Sequence, residues 1–426
     1  MYIDESLVSF IWHHCYFNST QVKTTDKECI LIRDPGHPNK HAGPDFVESR
    51  IKIGDIEWIG SVEIHVKSSD WNAHNHSSNP DYDRVILHVV WKHDVEIKRP
   101  NRTFIPTLEI NNLVSTEVLD KYTGLMYGQN DYPCHQYLGY SKHISILSMI
   151  NKSMVSRLER KGDEVLRVFH VTGKNWEETA YVILVRNFGF KVNQDNMDLL
   201  ARLLPFSVIS KHRDSTFQME ALLFGAAGFL NRPCDAYSDQ LRSEYDFLYH
   251  KYKMNTDFLQ RYQWKFLRLR PQNFPTVRLA QLAMVFANMD KIFSMILEFH
   301  SIRKVTGLLK VRQSSYWLEH YDFGKRYNKR LSGLGISSAR NILTNTFVPI
   351  LCAYAKQIND EQYISKAVRI LETLPPENNQ IIRTWMKKGI RPVNSFESQG
   401  LIEMSKTYCY KKKCLNCNIG TDILMH

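Results

Sequence analysis

No apolar run in this chain approaches the roughly 18 residues that a membrane-spanning helix needs, so insertion into a bilayer is not expected. Its opening, MYIDESLVSF, has no basic stretch followed by an apolar one, the mark of a secretory signal, and a cytoplasmic setting is the expectation. Low-complexity tracts and a repeat period are also missing, which argues against a solenoid or a disordered array. Cysteine is sparse, eight in 426 residues and scattered except for the last three, and that is no disulfide framework. Acidic residues fall short of basic ones, 44 against 55, leaving a net charge of +11 and a pI near 9.1. Such a balance points to an acidic partner, nucleic acid first, through long-range attraction and counterion release. A basic surface that serves solubility alone is the plainer reading, and the oligomeric state is not legible.

What is present is a globular composition, 43% hydrophobic and 23% charged, in a chain long enough for one large or two to three ordinary domains. Leu7, Val8, Ile11 and Trp12 have helical spacing behind Asp4 and Glu5, so an amphipathic helix opens the chain. Glu28 to Ile32 reads as a short strand, and the turn-rich DPGHPN that follows leads to Gly43-Pro44-Asp45. The next stretch, Gly43 to Trp71, contains two strands joined at Gly54-Asp55. In the second of them, alternation puts Val62, Ile64 and Val66 on one face and Glu63, His65 and Lys67 on the other. Val85 to Trp91 is apolar on both faces except for His88, as a central buried strand should be, and Pro106 to Ile110 supplies one more. From about Ser141 the period changes to 3.6. Ile150, Met154 and Leu158 mark one helical face, Asn175 reads as an N-cap, Ser238 as another, and Pro275 suits a first turn. In Gly225-Ala-Ala-Gly228, small side chains suit close helix packing. The expected architecture is α+β: a mixed sheet domain over residues 1–125, a linker over 126–140, a larger helical domain over 141–406, and a cysteine-containing tail over 407–426.

Asp45 and Glu63 form the leading catalytic constellation. If the hairpin brings them together, two carboxylates supply the hard oxygen ligands that Mg2+ or Mn2+ prefers. A basic group on the same strand face can orient a water or stabilise a transition state; His65 fits by position and Lys67 by type. The bland alternative is a solvated Glu63–Lys67 pair worth about 0.2–1 kcal/mol. A competing reading is a histidine-metal hydrolase with His65, His76 and His88 as ligands, although a lone histidine such as His88 on an apolar strand is more often hydrogen-bonded core, and His74 and His76 in a polar loop suit solvent equally well.

A second site is suggested by Cys409, Cys414 and Cys417, a Cys-x2-Cys pair with a third cysteine five residues earlier. Zinc or an iron–sulphur cluster needs a fourth ligand, for which Cys134 in Tyr132-Pro-Cys-His135 is the first choice, ahead of His135, Cys15 and Cys29. Reduced thiols in a basic tail are the alternative. Thirdly, Trp264 to Arg278 alternates aromatics with Arg268, Arg270 and Arg278 ahead of a helix N-terminus, a place where phosphate is favoured. The competing reading pairs these arginines with neighbouring acids.

The strings HAGPDF (41–46), WIGSVEIHVKSSDW (58–71), VILHVVW (85–91), EALLFGAAGFL (220–230), RLRPQNFPTVRLAQLA (268–283) and CLNCNIG (414–420) resemble a family of full-length Bacteroidota proteins carrying a domain of unknown function. That resemblance spans the chain and implies kinship without an activity. The first region also resembles the PD-(D/E)XK nuclease superfamily in its order of elements, with Asp45 at the Pro-Asp position and Glu63 at the acidic one. This implies a restriction-endonuclease-like fold and a metal-dependent nuclease. The lysine position is occupied by His65, with Lys67 one pleat further on, so a non-catalytic nucleic-acid-binding or interaction protein with a degraded site is the rival. Certain nucleases of that superfamily hold an iron–sulphur cluster with one distant cysteine and three near the C-terminus. In them the distant cysteine precedes the nuclease core, an order that Cys15 or Cys29 would keep and Cys134 does not.

Overall fold

The computed structural model describes residues 3–18, 22–254 and 259–426. Two compact units are present, Met1–Lys152 together with Leu401–His426, and Ser153–Gly400. The α+β expectation holds: a mixed sheet comes first and a larger helical part follows.

In the first unit, helix α1 (Glu5–His13) starts where the Asp4 carboxylate accepts the Leu7 N–H at 2.9 Å, the usual remedy for an orphan donor at a helix start. Leu7, Val8, Phe10, Ile11 and Trp12 are its buried residues. The strands are β1 (Ile30–Asp34), β2 (His37–Pro38), β3 (Phe46–Ile53), β4 (Ile56–Lys67), β5 (Val85–Lys92) and β6 (Thr107–Glu109). Among the described residues they form one sheet in the order β1-β3-β4-β5-β6, with β2 also on β3. Pairing is antiparallel from β1 to β4 and parallel from β4 to β6. Gly54 takes the left-handed φ of +58° that the tight β3–β4 turn requires. Strand β5 is buried from Val85 through Val90, as its unbroken apolar run implies.

Two irregularities flank β4. The register of β3 against β4 slips by one residue between Phe46 and Ser49, where Glu48 adopts φ +60°. The β4–β5 register slips as well, passing from Ser61–Val85 to Val62–Leu87 and leaving Ile86 as the extra residue. Gly60 makes room for it, because a Cβ there would overlap the Ile86 side chain.

Helix α2 (Asp70–Ala73) follows β4, held by a serine-carboxylate turn in which Asp94 accepts from Ser69 N and Ser68 Oγ at 2.9 Å and from Ser69 Oγ at 2.8 Å. Helix α3 (Thr116–Tyr127), capped by Ser115, stands where no helix was expected. The stretch expected as a linker contains the 3-10 segment Pro133–Tyr140, and this segment belongs to the first unit, as does the cysteine tail.

The second unit is helical apart from a small hairpin, His320–Asp322 with Lys325–Arg326. Asn175 caps Trp176–Phe188 as expected, accepting from Glu177 and Glu178 N–H. The helix expected to begin at Ser238 begins earlier, as Ala236–Lys251. Asp235 is the N-cap and Ser238 its capping-box partner, because a carboxylate three residues before the serine can take the same orphan N–H. Gly225 lies against the Tyr245 ring, which a Cβ would overlap. No single helix among the described residues is long and apolar enough to cross a membrane.

Candidate functional site

The two slips set the site. With Phe46 opposite Val62, Asp45 falls opposite Glu63, and with Glu63 opposite His88 the imidazole of β5 joins the same sheet face as Glu63 and His65. Without the extra residue in β3, Asp45 would oppose Ile64; without the one in β5, Glu63 would oppose Leu87. Asp45 is presented by a loop that Asn39 closes, its Nδ2 donating to Pro44 O at 3.0 Å and its backbone N to Asp45 O at 2.7 Å.

Asp45 and Glu63 then hold each other through the backbone. Asp45 N donates to Glu63 Oε2 at 3.1 Å, and Ile64 N donates to Asp45 Oδ2 at 3.0 Å. This leaves Glu63 Oε1 facing the imidazoles, 3.2 Å from His76 Nε2 and 3.7 Å from His65 Nε2. His65 Nε2 is also 3.1 Å from His74 Nδ1, while its Nδ1 is 2.8 Å from His88 Nε2. One ligand atom each from His65, His74 and His76 lie within 4.8 Å of one another. His76 arrives on the 3-10 turn after α2, stacked on Tyr82 with centroids 3.9 Å apart, and Trp71 packs its edge or face against His65, His76 and His88. The Trp71 indole is fixed by donation to Ser77 Oγ at 2.9 Å.

Burial dominates the electrostatics. It pushes Glu63 up to about 9, helped by the charges of Asp45 and Glu5 and opposed by the Asp45 N–H. Asp45 is raised too, although the Ile64 N–H and His74 pull against it. Burial and neighbouring imidazoles push His65 down to about 2 and His88 to about 3, and lower His76. At neutral pH the bare cluster is therefore uncharged at its centre: neutral imidazoles crowd a protonated Glu63. The buried His76 Nε2 has no hydrogen-bond partner despite lying close to Glu63. The spacings of 3.1–3.7 Å among Glu63 Oε1 and the imidazole nitrogens fit a cation, for first-row metal–ligand bonds of about 2.0–2.2 Å set donor–donor edges at about 3–3.5 Å.

The sequence-derived set is thus partly gathered. Asp45, Glu63 and His65 meet. Lys67 does not: it is exposed at the end of β4, with its backbone N on Asp70 Oδ2 and its charge interacting with Asp94. One pleat carries the chain past the buried zone, so the expected catalytic lysine is corrected to a surface one. His88 is an orienting partner of His65, and His74 takes the ligand place that the sequence reading gave to His88. Glu5, read from the sequence only as a helix-start acid, lies at the rim, raised by the surrounding chain and by Asp45.

Cys134, Cys409, Cys414 and Cys417 are all buried and line one cavity. Cys15 and Cys29, half-exposed and exposed, are not among its lining residues. The arginine stretch divides. Arg268 and Arg270 are exposed, whereas Arg278 is buried, stacked on Phe190 and hydrogen-bonded to Gln281 and Asn273. Arg278 is therefore not on the exposed stretch with Arg268 and Arg270 but in the wall of a cavity of about 350 Å³, which corrects the expectation of one arginine-lined surface. Trp264 is buried as well, its indole donating to Ala227 O at 2.9 Å.

No curated protein and no solved structure matches the chain. One family model does, over residues 5–380, a span that contains every member of the acidic and imidazole cluster. On that match the chain belongs to the family described as protein of unknown function (DUF2851).

Proposed function

We propose that the sheet-containing unit is a metal-dependent hydrolase of phosphodiesters, acting on DNA or RNA, with its cation held by Glu63, His65, His74 and His76 and with Asp45 beside them. The carrying observation is the convergence of Glu63 Oε1 and imidazole nitrogens at 3.1–3.7 Å on a buried sheet face. The imidazole-rich set favours Zn2+ or Mn2+ over Mg2+, which prefers oxygen donors in an octahedral shell. A bound divalent ion supplies charge to neutralise a phosphate and acidifies its water.

The chain's own residues have separable roles in this reading. Asp45 fixes the Glu63 carboxylate through its N–H and supplies a second carboxylate at the same edge. His88, at 2.8 Å, sets the ring orientation of His65 from behind, the outer-shell role that imidazole ligands commonly need. The net charge of +11 supports a polyanionic substrate.

The test is cleavage of single-stranded and duplex DNA and of RNA with Mn2+, Zn2+ or Mg2+ supplied singly. Activity is expected with Mn2+ or Zn2+ and a loss of at least tenfold in Glu63→Gln and His76→Ala. Undiminished activity in both variants would remove the cluster from the mechanism. Metal binding without cleavage of any of these substrates would leave the non-catalytic alternative in its place.

A further inference from the structure

The tail of the first unit contains a second constellation that the hydrolase reading does not use. Cys409 ends a π-helical turn, Ser405–Cys409, which continues helix Ser395–Met404. Such turns insert one residue into a helix and re-aim the side chains that follow. Cys414 to Cys417 forms a tight 3-10 turn closed by Cys417 N donating to Cys414 O at 3.1 Å, and Cys417 is the N-cap of helix Asn418–Met425. A Cβ on Gly420 would overlap the Cys414 carbonyl, so the turn needs glycine there. From the other end of the unit, Pro133-Cys134 brings a fourth thiol to the same cavity, where Tyr132 and Tyr410 meet hydroxyl to hydroxyl at 3.1 Å.

Buried cysteines often serve as small hydrophobic residues. Two features here exceed that role: four thiols from three separate segments share one cavity, each only 7–8% exposed, and lysines lie close by. Lys413 lines the cavity, Lys412 reaches Gly128 O at 2.9 Å, and Lys152 reaches Asn416 O at 3.2 Å. Cations around sulphur suit thiolates that carry net negative charge on a metal, and are of little use to neutral thiols in a core.

We infer that Cys134, Cys409, Cys414 and Cys417 form a four-thiolate metal centre that fastens residues 409–417 to the Tyr132–Cys134 segment. Four cysteines with a Cys-x2-Cys pair are the usual shell of a structural zinc ion, so zinc is the expected occupant. Four protons leave the thiols as one ion enters, and no redox change is required.

The test uses the full chain carrying Glu63→Gln and His76→Ala, so that the histidine cluster does not contribute metal and failure of the hydrolase reading leaves the result untouched. Metal analysis of anaerobically purified protein is expected to give one zinc per chain. Exchange for Co2+ should produce the sulphur-to-metal charge-transfer absorption of a tetrathiolate, weakened in Cys417→Ser and in Cys134→Ser. If either variant fails to fold, titration of the parent chain with an organomercurial should release one zinc on modification of four thiols. Iron with sulphide would keep the ligand set and overturn the single-ion assignment. Neither metal, with no charge-transfer band after Co2+ addition, would overturn the proposal.

Discussion

Glu63→Gln should reshape the pH dependence of stability in the metal-free chain. Burial holds the Glu63 proton up to about pH 9, whereas the unfolded chain releases it near 4.5. Between those values the native state carries one proton more than the unfolded state, so stability falls as pH rises, by about 1.4 kcal/mol per pH unit. His65 and His88 act in the opposite sense. Their folded values, about 2 and about 3, lie below the unfolded 6.5, so the stability they contribute is present above pH 6.5 and is lost as pH falls below it. For these three groups the opposing slopes place the optimum near pH 6.5, with Glu63 shaping the alkaline side. Glutamine copies the protonated carboxyl in shape and does not titrate. Raising the pH from about 6.5 to about 8 should therefore cost the parent chain about 2 kcal/mol more than the Glu63→Gln variant. Urea unfolding in EDTA at both pH values measures this difference of differences, in which titrations common to both chains cancel. Parallel pH curves for the two would refute the buried, protonated Glu63. Saturating metal, which displaces that proton, should flatten the parent's alkaline limb.

Three further outcomes follow from the geometry. Lys67→Ala should leave metal affinity within about twofold while His74→Ala lowers it at least tenfold, as read by calorimetric titration of Mn2+ or Zn2+; equal losses would return Lys67 to the site. Glu48→Pro, which forbids the φ of +60° at the β3 irregularity, should abolish that metal binding, whereas Glu48→Gly should preserve it. Arg268→Ala with Arg270→Ala should weaken nucleic-acid binding alike for all sequences and shallow its salt dependence; an unchanged slope by filter binding would exclude them as phosphate contacts.

Much of this was legible before any coordinates. Alternation along Val62–Lys67 separates the faces of β4, Gly54-Asp55 marks the hairpin, Asn175 marks a helix start, and the cysteine spacing points to the tail. Alternation tells which side a residue faces, but it says nothing of which residue stands opposite. The slips at Glu48 and Ile86 decide that Asp45, Glu63 and His88 align, and neither residue type announces a bulge. His88 looked like lone core because the sequence does not show that His65 stands next to it in space. Arg278 misled because a guanidinium in an aromatic-rich stretch reads as surface, while here it is buried against Phe190 with its Nη atoms on Gln281 and Asn273. Helix α3 was missed although Ser115 caps it and Val118, Tyr122 and Leu125 have helical spacing.

The first unit is assembled from both ends of the described chain, with residues 153–400 lying between its two parts in sequence. During synthesis the sheet and Cys134 emerge early, but Cys409, Cys414 and Cys417 reach the ribosome exit only after the helical unit has been made. A nascent chain halted before residue 401 would then present the Pro133–Tyr140 segment bare of its partners, exposed to chaperones and proteases. Completion of the first unit is in this sense a late event, gated by arrival of residues 401–426 and, where the thiolate centre forms, by the local supply of its ion.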